Sequence, residues 1–160
     1  MKILLFAFLC LFVAGAAHAQ TGILNVSSAR FASGKGNLAF LAAGVAGPLF
    51  YGEKDRAEVA RRLDTALTVS LATQALKLAF RERRPDGSSR DSFPSGHASA
   101  AFAIAALNAR ARPKDAPFWY AGAALVADSR VTLKRHYVHD VIAGALLGLV
   151  APRLGLIRRL

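Results

Sequence analysis

From Leu38 onward, apolar residues recur at helical rather than alternating spacing, and polar or proline-containing joints cut the pattern into pieces. The pieces are Leu38–Tyr51, Arg56–Phe80, His97–Ala109, Phe118–Ala127 and Val138–Val150. A charged loop, Arg81–Phe93, separates the second from the third, and Pro113 and Pro117 bound the joint before the fourth. Alternation of β-branched residues is almost absent. The pattern predicts an all-α protein, a bundle of about five helices filling residues 38–160. Residues 20–37 are rich in Gly and Ser without a clear period, which predicts an extended lead-in. No internal repeat or low-complexity segment is present.

The first 19 residues follow a different rule. Met1-Lys2 is a short positive start, Ile3 to Val13 is an apolar run, and Ala17-His18-Ala19 is an A-x-A cleavage site. The run is shorter than the roughly 20 residues that span a bilayer, so residues 1–19 read as a secretory signal peptide cleaved before Gln20. Export places the working chain in the periplasm, or in the inner membrane with its site facing the periplasm. The second placement gains support from charge. With all helices crossing, Arg110, Arg112, Lys114, Arg153, Arg158 and Arg159 would share the cytoplasmic side. Against it, no later apolar stretch reaches the length of a typical span without interruption. Membrane association therefore stays open at this point.

Composition adds two constraints. The chain has 160 residues and a single Cys, which excludes a disulfide framework or a thiolate metal cluster. That Cys10 lies in the signal segment, so the exported chain has none. Net charge is +11, and the signal removes only Lys2 from the positive side. Such an excess calls for an anionic partner, whether nucleic acid, membrane surface or phosphate. Export argues against nucleic acid, and the basic residues are not interleaved with aromatics as single-strand binding favours.

Three clusters carry chemistry. Lys77 and Arg84 are seven residues apart, nearly two helical turns, and Pro85 turns Arg84 out of helical geometry. Two long cations at a helix end can grip a phosphate; a solvated basic helix end is the ordinary reading. Pro94-Ser95-Gly96-His97 immediately precedes a predicted helix. Ser95 is a natural N-cap, Gly96 permits close approach of a ligand, and the free N–H groups of a helix start bind anions. His97 follows in the first turn. The third cluster is Ser129-Arg130, His136 and Asp140. An i,i+4 pair of His136 and Asp140 lets the carboxylate fix the imidazole tautomer and free the other nitrogen for attack. Arg130 adds a planar fork for phosphate oxygens. A structural His–Asp cap is the competing reading of this pair.

His136, His139 and Asp140 also form an H-x-x-H-D run that invites a metal reading. Helical geometry turns His139 away from Asp140, and no Cys, H-E-x-x-H or acidic cluster supports it, so no metal or other cofactor is expected and His139 reads as a surface residue. The Gly34-Lys35 pair lacks the earlier Gly and following Ser/Thr of a phosphate loop.

In order and spacing, Lys77-x6-Arg84-Pro85, Pro94-Ser95-Gly96-His97 and Ser129-Arg130-x5-His136-x3-Asp140 resemble the three-part signature of the type 2 phosphatidic acid phosphatase/vanadium haloperoxidase superfamily. The resemblance covers residues 77–140 and departs at no signature position. It implies a helical-bundle phosphatase in which His136 becomes a phosphohistidine, Asp140 orients it and His97 is the general acid. It further implies that Lys77, Arg84, Ser95, Gly96 and Arg130 hold the phosphate, with no metal. The implied partner is a phosphorylated small molecule or a lipid phosphate or pyrophosphate. The exported chain is short for the secreted acid phosphatases it resembles, which leaves the substrate open. A vanadium haloperoxidase, whose relatives are much longer, and a basic non-catalytic module for anionic lipid are the alternatives.

Overall fold

The computed structural model describes residues 22–50 and 56–155, with side chains for all of these except residues 48–50 and 56. The signal-peptide segment lies outside the described residues. Six α-helices are present among them: α1 (Val26–Ser33), α2 (Lys35–Phe50), α3 (Arg56–Phe80), α4 (Gly96–Ala111), α5 (Ala116–Thr132) and α6 (Val138–Leu154). A single 3-10 turn, Pro113–Asp115, joins α4 to α5, and no strand occurs among the described residues. The five helices read from the sequence are all there. α3 has the predicted bounds, while α5 runs on through Ser129 and Arg130.

The expected extended lead-in is corrected. Residues 26–33 are helical, and α2 begins at Lys35 rather than Leu38. Asn25 caps α1, its side chain accepting the Ser28 N–H at 2.9 Å, and Gly34 closes it by donating its N–H to the Arg30 and Phe31 carbonyls. Half of its residues are apolar, yet only Ala29 is buried. Packing holds it: Ala29 is fully buried, and α1 lies along α5. Tertiary contact of that kind leaves no period in the sequence.

α4 is the centre of the bundle, packed against α6, α5, α3 and α2. The core is built from small residues with a few large ones: Ala98, Ala101, Phe102 and Ala105 of α4, Ala123, Val126 and Ala127 of α5, and Val141 and Ala145 of α6. Small side chains let backbones approach. A Cβ on Gly144 of α6 would stand 2.5 Å from the Ser95 carbonyl oxygen, and one on Gly148 would stand 2.3 Å from that of Ser99. These two glycines therefore seat α6 directly on the first turns of α4, and this junction sets the distance between Asp140 and Ser95.

α3 is built the other way round. Its buried positions include Glu58, Arg62, Asp64, Thr65, Thr68 and Thr73, while Val59, Leu63, Leu67, Leu71 and Leu78 are exposed. The buried charges are paired: Glu58 meets Arg61 at 2.6 Å and Arg62 at 3.0 Å. Arg62 and Asn108 both donate to the Gly44 carbonyl of α2, at 2.5 and 3.1 Å.

Candidate active site

His136 lies in the turn between α5 and α6. The backbone N–H groups of Arg135 and His136 both donate to the Arg130 carbonyl, at 3.0 and 3.2 Å, which folds the turn back over the end of α5. Arg130 and His136 are thereby brought together, although six positions separate them in sequence. α6 starts at Val138, as predicted, so His136 precedes it and the i,i+4 pairing with Asp140 is not made within one helix. Asp140 instead reaches back from the first turn, accepting the Tyr137 N–H at 2.8 Å. The same carboxylate oxygen accepts the Ser92 hydroxyl at 2.5 Å and faces His136 Nδ1 at 3.5 Å. The last distance is long for a hydrogen bond, so the ring is steered by a fixed charge more than by a short contact. Nδ1 faces Asp140, and Nε2 has no protein partner among the described residues.

Asp140 is fully buried and His136 is 3% exposed. Burial opposes the Asp140 charge, yet the His136, Ser92 and Tyr137 contacts hold its carboxyl below the usual aspartate value. Burial pushes the His136 imidazole below its ordinary value, against the pull of Asp140, so the ring is neutral at pH 7. A neutral, oriented imidazole with a free nitrogen is a nucleophile.

The phosphate-binding candidates surround this pair. Ser95 is fully buried and caps α4, accepting the Ala98 N–H at 3.5 Å. Its own N–H donates to the Asp140 carbonyl at 2.9 Å, tying the α4 start to the α6 start. At Gly96 the nearest neighbour of an added Cβ would be Thr73 Cγ2 at 3.7 Å, so the approach to the helix start is uncrowded. Arg130 is 7% exposed, and its Nε has no partner among the described residues. Burial, then Arg84 and Arg135, lowers its pKa to about 10, which leaves it charged at neutral pH.

Lys77 and Arg84 converge as expected, but not along one helix. α3 ends at Phe80, Arg81 takes a left-handed φ of 46°, and Arg84 returns through the loop. Both meet Asp91. Arg84 binds its carboxylate at 2.9 and 3.0 Å, while Lys77 donates to its backbone carbonyl and lies 3.9 Å from its side chain. The Ser89 hydroxyl also donates to this carboxylate. Burial opposes the charge, but the Ser89 and Arg84 hydrogen bonds hold the Asp91 carboxyl below its usual value. Burial lowers the Lys77 ammonium, with Asp91 opposing.

His97 sits in the first turn of α4, partly buried. Burial, Arg130 and His136 depress its pKa from 6.5 to about 4. The backbone carbonyl of Ser33 beside the ring works against this depression, and Arg130 Nη1 donates to the Ser33 hydroxyl. His139 needs correction. Its Nε2 lies 2.8 Å from Glu82 Oε1 and 3.2 Å from Asp140 Oδ1, so it does reach Asp140, because the first turn of α6 and the 81–95 loop close on one another. The ring is 58% exposed on its side chain, stacks on Tyr137 at 5.3 Å and bridges the Glu82 and Asp140 carboxylates.

All eight predicted site residues thus gather where α3, α4, α5, α6 and their loops meet. Sequence reasoning missed Ser92, Asp91 and Ser33. Ser92 and Asp91 abut the Pro94-Ser95-Gly96-His97 run, and a search for donors and carboxylates beside it would have found them. Ser33 carries no local signal.

Residues 58–156 match the PAP2 superfamily. The chain belongs to that superfamily. The matched span holds every predicted site residue and begins after α2. A Lipid A 1-phosphatase of Porphyromonas gingivalis is 36% identical over 83 residues, a match covering 49% of this chain and 19% of that protein. The chain therefore spans about a fifth of the length of that relative. Among solved structures, Aquifex aeolicus LpxE is similar with a TM-score of 0.60 and 24% identity, over 76% of this chain and 83% of the other. That likeness establishes the same fold.

Proposed function

We propose that the chain is a phosphoric ester hydrolase that removes phosphate from a phosphorylated lipid through a phosphohistidine on His136. The observation that carries the reading is the seating of the His136–Asp140 pair beside Arg130 and the capped start of α4. Nε2 of His136 attacks phosphorus, the P–O ester bond breaks, and the leaving oxygen takes a proton from His97. Water then attacks the phosphoryl group, His97 accepts its proton, the P–N bond breaks and inorganic phosphate departs. Lys77, Arg84, Arg130 and the N–H groups of the α4 start neutralise the equatorial oxygens throughout.

A lipid is favoured over a soluble ester by two facts. The similar protein from Porphyromonas gingivalis is a Lipid A 1-phosphatase. The exposed face of α3 is apolar while its buried face is polar, a pattern suited to contact with acyl chains. No helix among the described residues is long and apolar enough to cross a membrane. We place the enzyme at the periplasmic side of the inner membrane, with α3 against lipid.

The test is phosphate release from a panel of lipid phosphates, lipid pyrophosphates and water-soluble monoesters by purified enzyme in detergent. Lipid phosphates are expected to be preferred, with an acid-labile phosphoenzyme trapped in wild type and absent in His136→Ala. Turnover by His136→Ala near the wild-type rate refutes the mechanism, and a preference for soluble esters refutes the lipid assignment.

A further inference from the structure

We propose that Ser33 is a positioning residue of the phosphate site, holding the Arg130 guanidinium in a fixed orientation; this rests on the phosphatase reading above. Ser33 is the last residue of α1, before the Gly34 break, and lies outside the span that matches the superfamily. Its hydroxyl accepts from Arg130 Nη1. The guanidinium is planar and rigid, so anchoring one nitrogen orients the other donors. Nε, buried and unpartnered among the described residues, is then left to a ligand oxygen. One hydroxyl thus orients a phosphate-binding cation from outside the matched span.

The segment that delivers Ser33 is anchored to the helix that delivers Arg130. The Asp128 carboxylate accepts the Ile23 and Leu24 N–H groups at 2.7 and 2.9 Å, and the Thr132 hydroxyl at 3.2 Å. Asp128 is two residues before Arg130 on α5. At Gly22 an added Cβ would stand 1.9 Å from Thr132 Oγ1, so the chain lies hard against α5 there. Ala29, fully buried, fills the remaining contact. Both ends of α1 therefore meet groups on α5, and Ser33 is held at Arg130 by more than its own hydrogen bond.

The experiment compares wild type, Ser33→Ala and Ser33→Thr for vanadate affinity by calorimetry, for KM and kcat on p-nitrophenyl phosphate, and for thermal midpoint. Loss of one hydrogen bond to a charged group predicts vanadate binding about tenfold weaker in Ser33→Ala, with KM raised by a similar factor and kcat changed less than about threefold. Ser33→Thr keeps the hydroxyl and is expected within about twofold of wild type. Wild-type vanadate affinity in Ser33→Ala overturns the proposal, as does a Thr variant as defective as the Ala variant. Where Ser33→Ala does not fold, Ser33→Thr decides: wild-type affinity supports the proposal and a tenfold loss overturns it. A wild-type enzyme that neither binds vanadate nor releases phosphate overturns the phosphatase reading itself, an outcome separate from equal binding by wild type and Ser33→Ala.

Discussion

Replacing Asp140 by Asn separates the charge of this residue from its shape. In the wild-type site one carboxylate oxygen serves the Ser92 hydroxyl at 2.5 Å, the Tyr137 N–H at 2.8 Å and His136 Nδ1 at 3.5 Å. An Asn can keep its carbonyl toward Ser92 and Tyr137, so the cap of α6 survives. The imidazolium-like charge that develops on His136 as Nε2 bonds to phosphorus then loses its counter-charge. A hydrogen bond to a charged group contributes about 1.5–3 kcal/mol, and each 1.4 kcal/mol is tenfold in rate, so kcat/KM should fall about 10- to 150-fold. The Asn NH2 would also face His139 Nε2, now 3.2 Å from Asp140 Oδ1, and favour the tautomer in which that nitrogen accepts. Steady-state kinetics on p-nitrophenyl phosphate and on a lipid phosphate, with circular dichroism to confirm the fold, measure the effect. A folded variant with a loss below about threefold would show that Asp140 is a helix cap only, with no role in orienting His136.

Three further outcomes are expected. In His97→Ala, alkyl phosphates, whose leaving oxygen needs a proton, should lose about 10²–10⁴ in kcat, and p-nitrophenyl phosphate far less; equal losses on both would remove the general-acid role. Asp91→Asn removes a carboxylate from Lys77 and Arg84, so inhibition by inorganic phosphate should tighten about three- to fivefold, as an exposed ion pair is worth up to ~1 kcal/mol; weaker inhibition would make Asp91 a support for the cations instead. Gly148→Ala drives a Cβ against the Ser99 carbonyl and the Ala103 N–H, at 2.3 and 2.8 Å, and should cost about 1–3 kcal/mol in chemical denaturation.

Stability should also depend on pH in a defined window. His97 and His136 have folded pKa values below the ordinary 6.5, that of His97 at about 4. Between these values the unfolded chain binds protons that the folded chain refuses, so stability falls as pH drops from about 6.5 toward about 4. Asp140 adds to this at lower pH, since its depressed pKa supplies stability above the usual carboxylate value of ~3.9 that is lost as it protonates. Thermal midpoints across that range check the sign, and a midpoint that rises on acidification contradicts it.

The candidate site residues could be picked out because the chemistry expected of them ties residue type to spacing. A His–Asp pair four apart, a Ser-Gly-His run at a helix start and a Lys/Arg pair around a proline leave a mark in the string itself. The helices of the bundle were legible for the same reason, through period. What stayed hidden depends on tertiary contact. α1 is held by Ala29 and the Asp128 clasp, neither of which produces a period. His139 reaches Asp140 only because the 81–95 loop, through Glu82, folds over the start of α6. That the apolar side of α3 faces outward is set by the neighbours that cover its polar side, and the string alone does not say which side they cover.

The free site carries two features that bear on each other. Lys77 and Arg84 are charge-balanced by Asp91, whose side chain is 45% exposed and sits on the cations expected to hold phosphate. His97 is depressed to about 4 by burial, Arg130 and His136, so at neutral pH it is unprotonated and unfit to donate. A phosphate dianion entering the site would meet Arg130 and the start of α4, displace Asp91 from Lys77 and Arg84, and place negative charge beside His97. That charge counters the cations that depress the ring and draws its pKa upward. With His97 as the proposed acid, the substrate then arms it, and the pH optimum for kcat should lie above that for kcat/KM, since the first reports the bound state and the second the free enzyme. Coincident profiles for the two would mean that His97 does not sense the bound phosphate, and the proton must come from elsewhere.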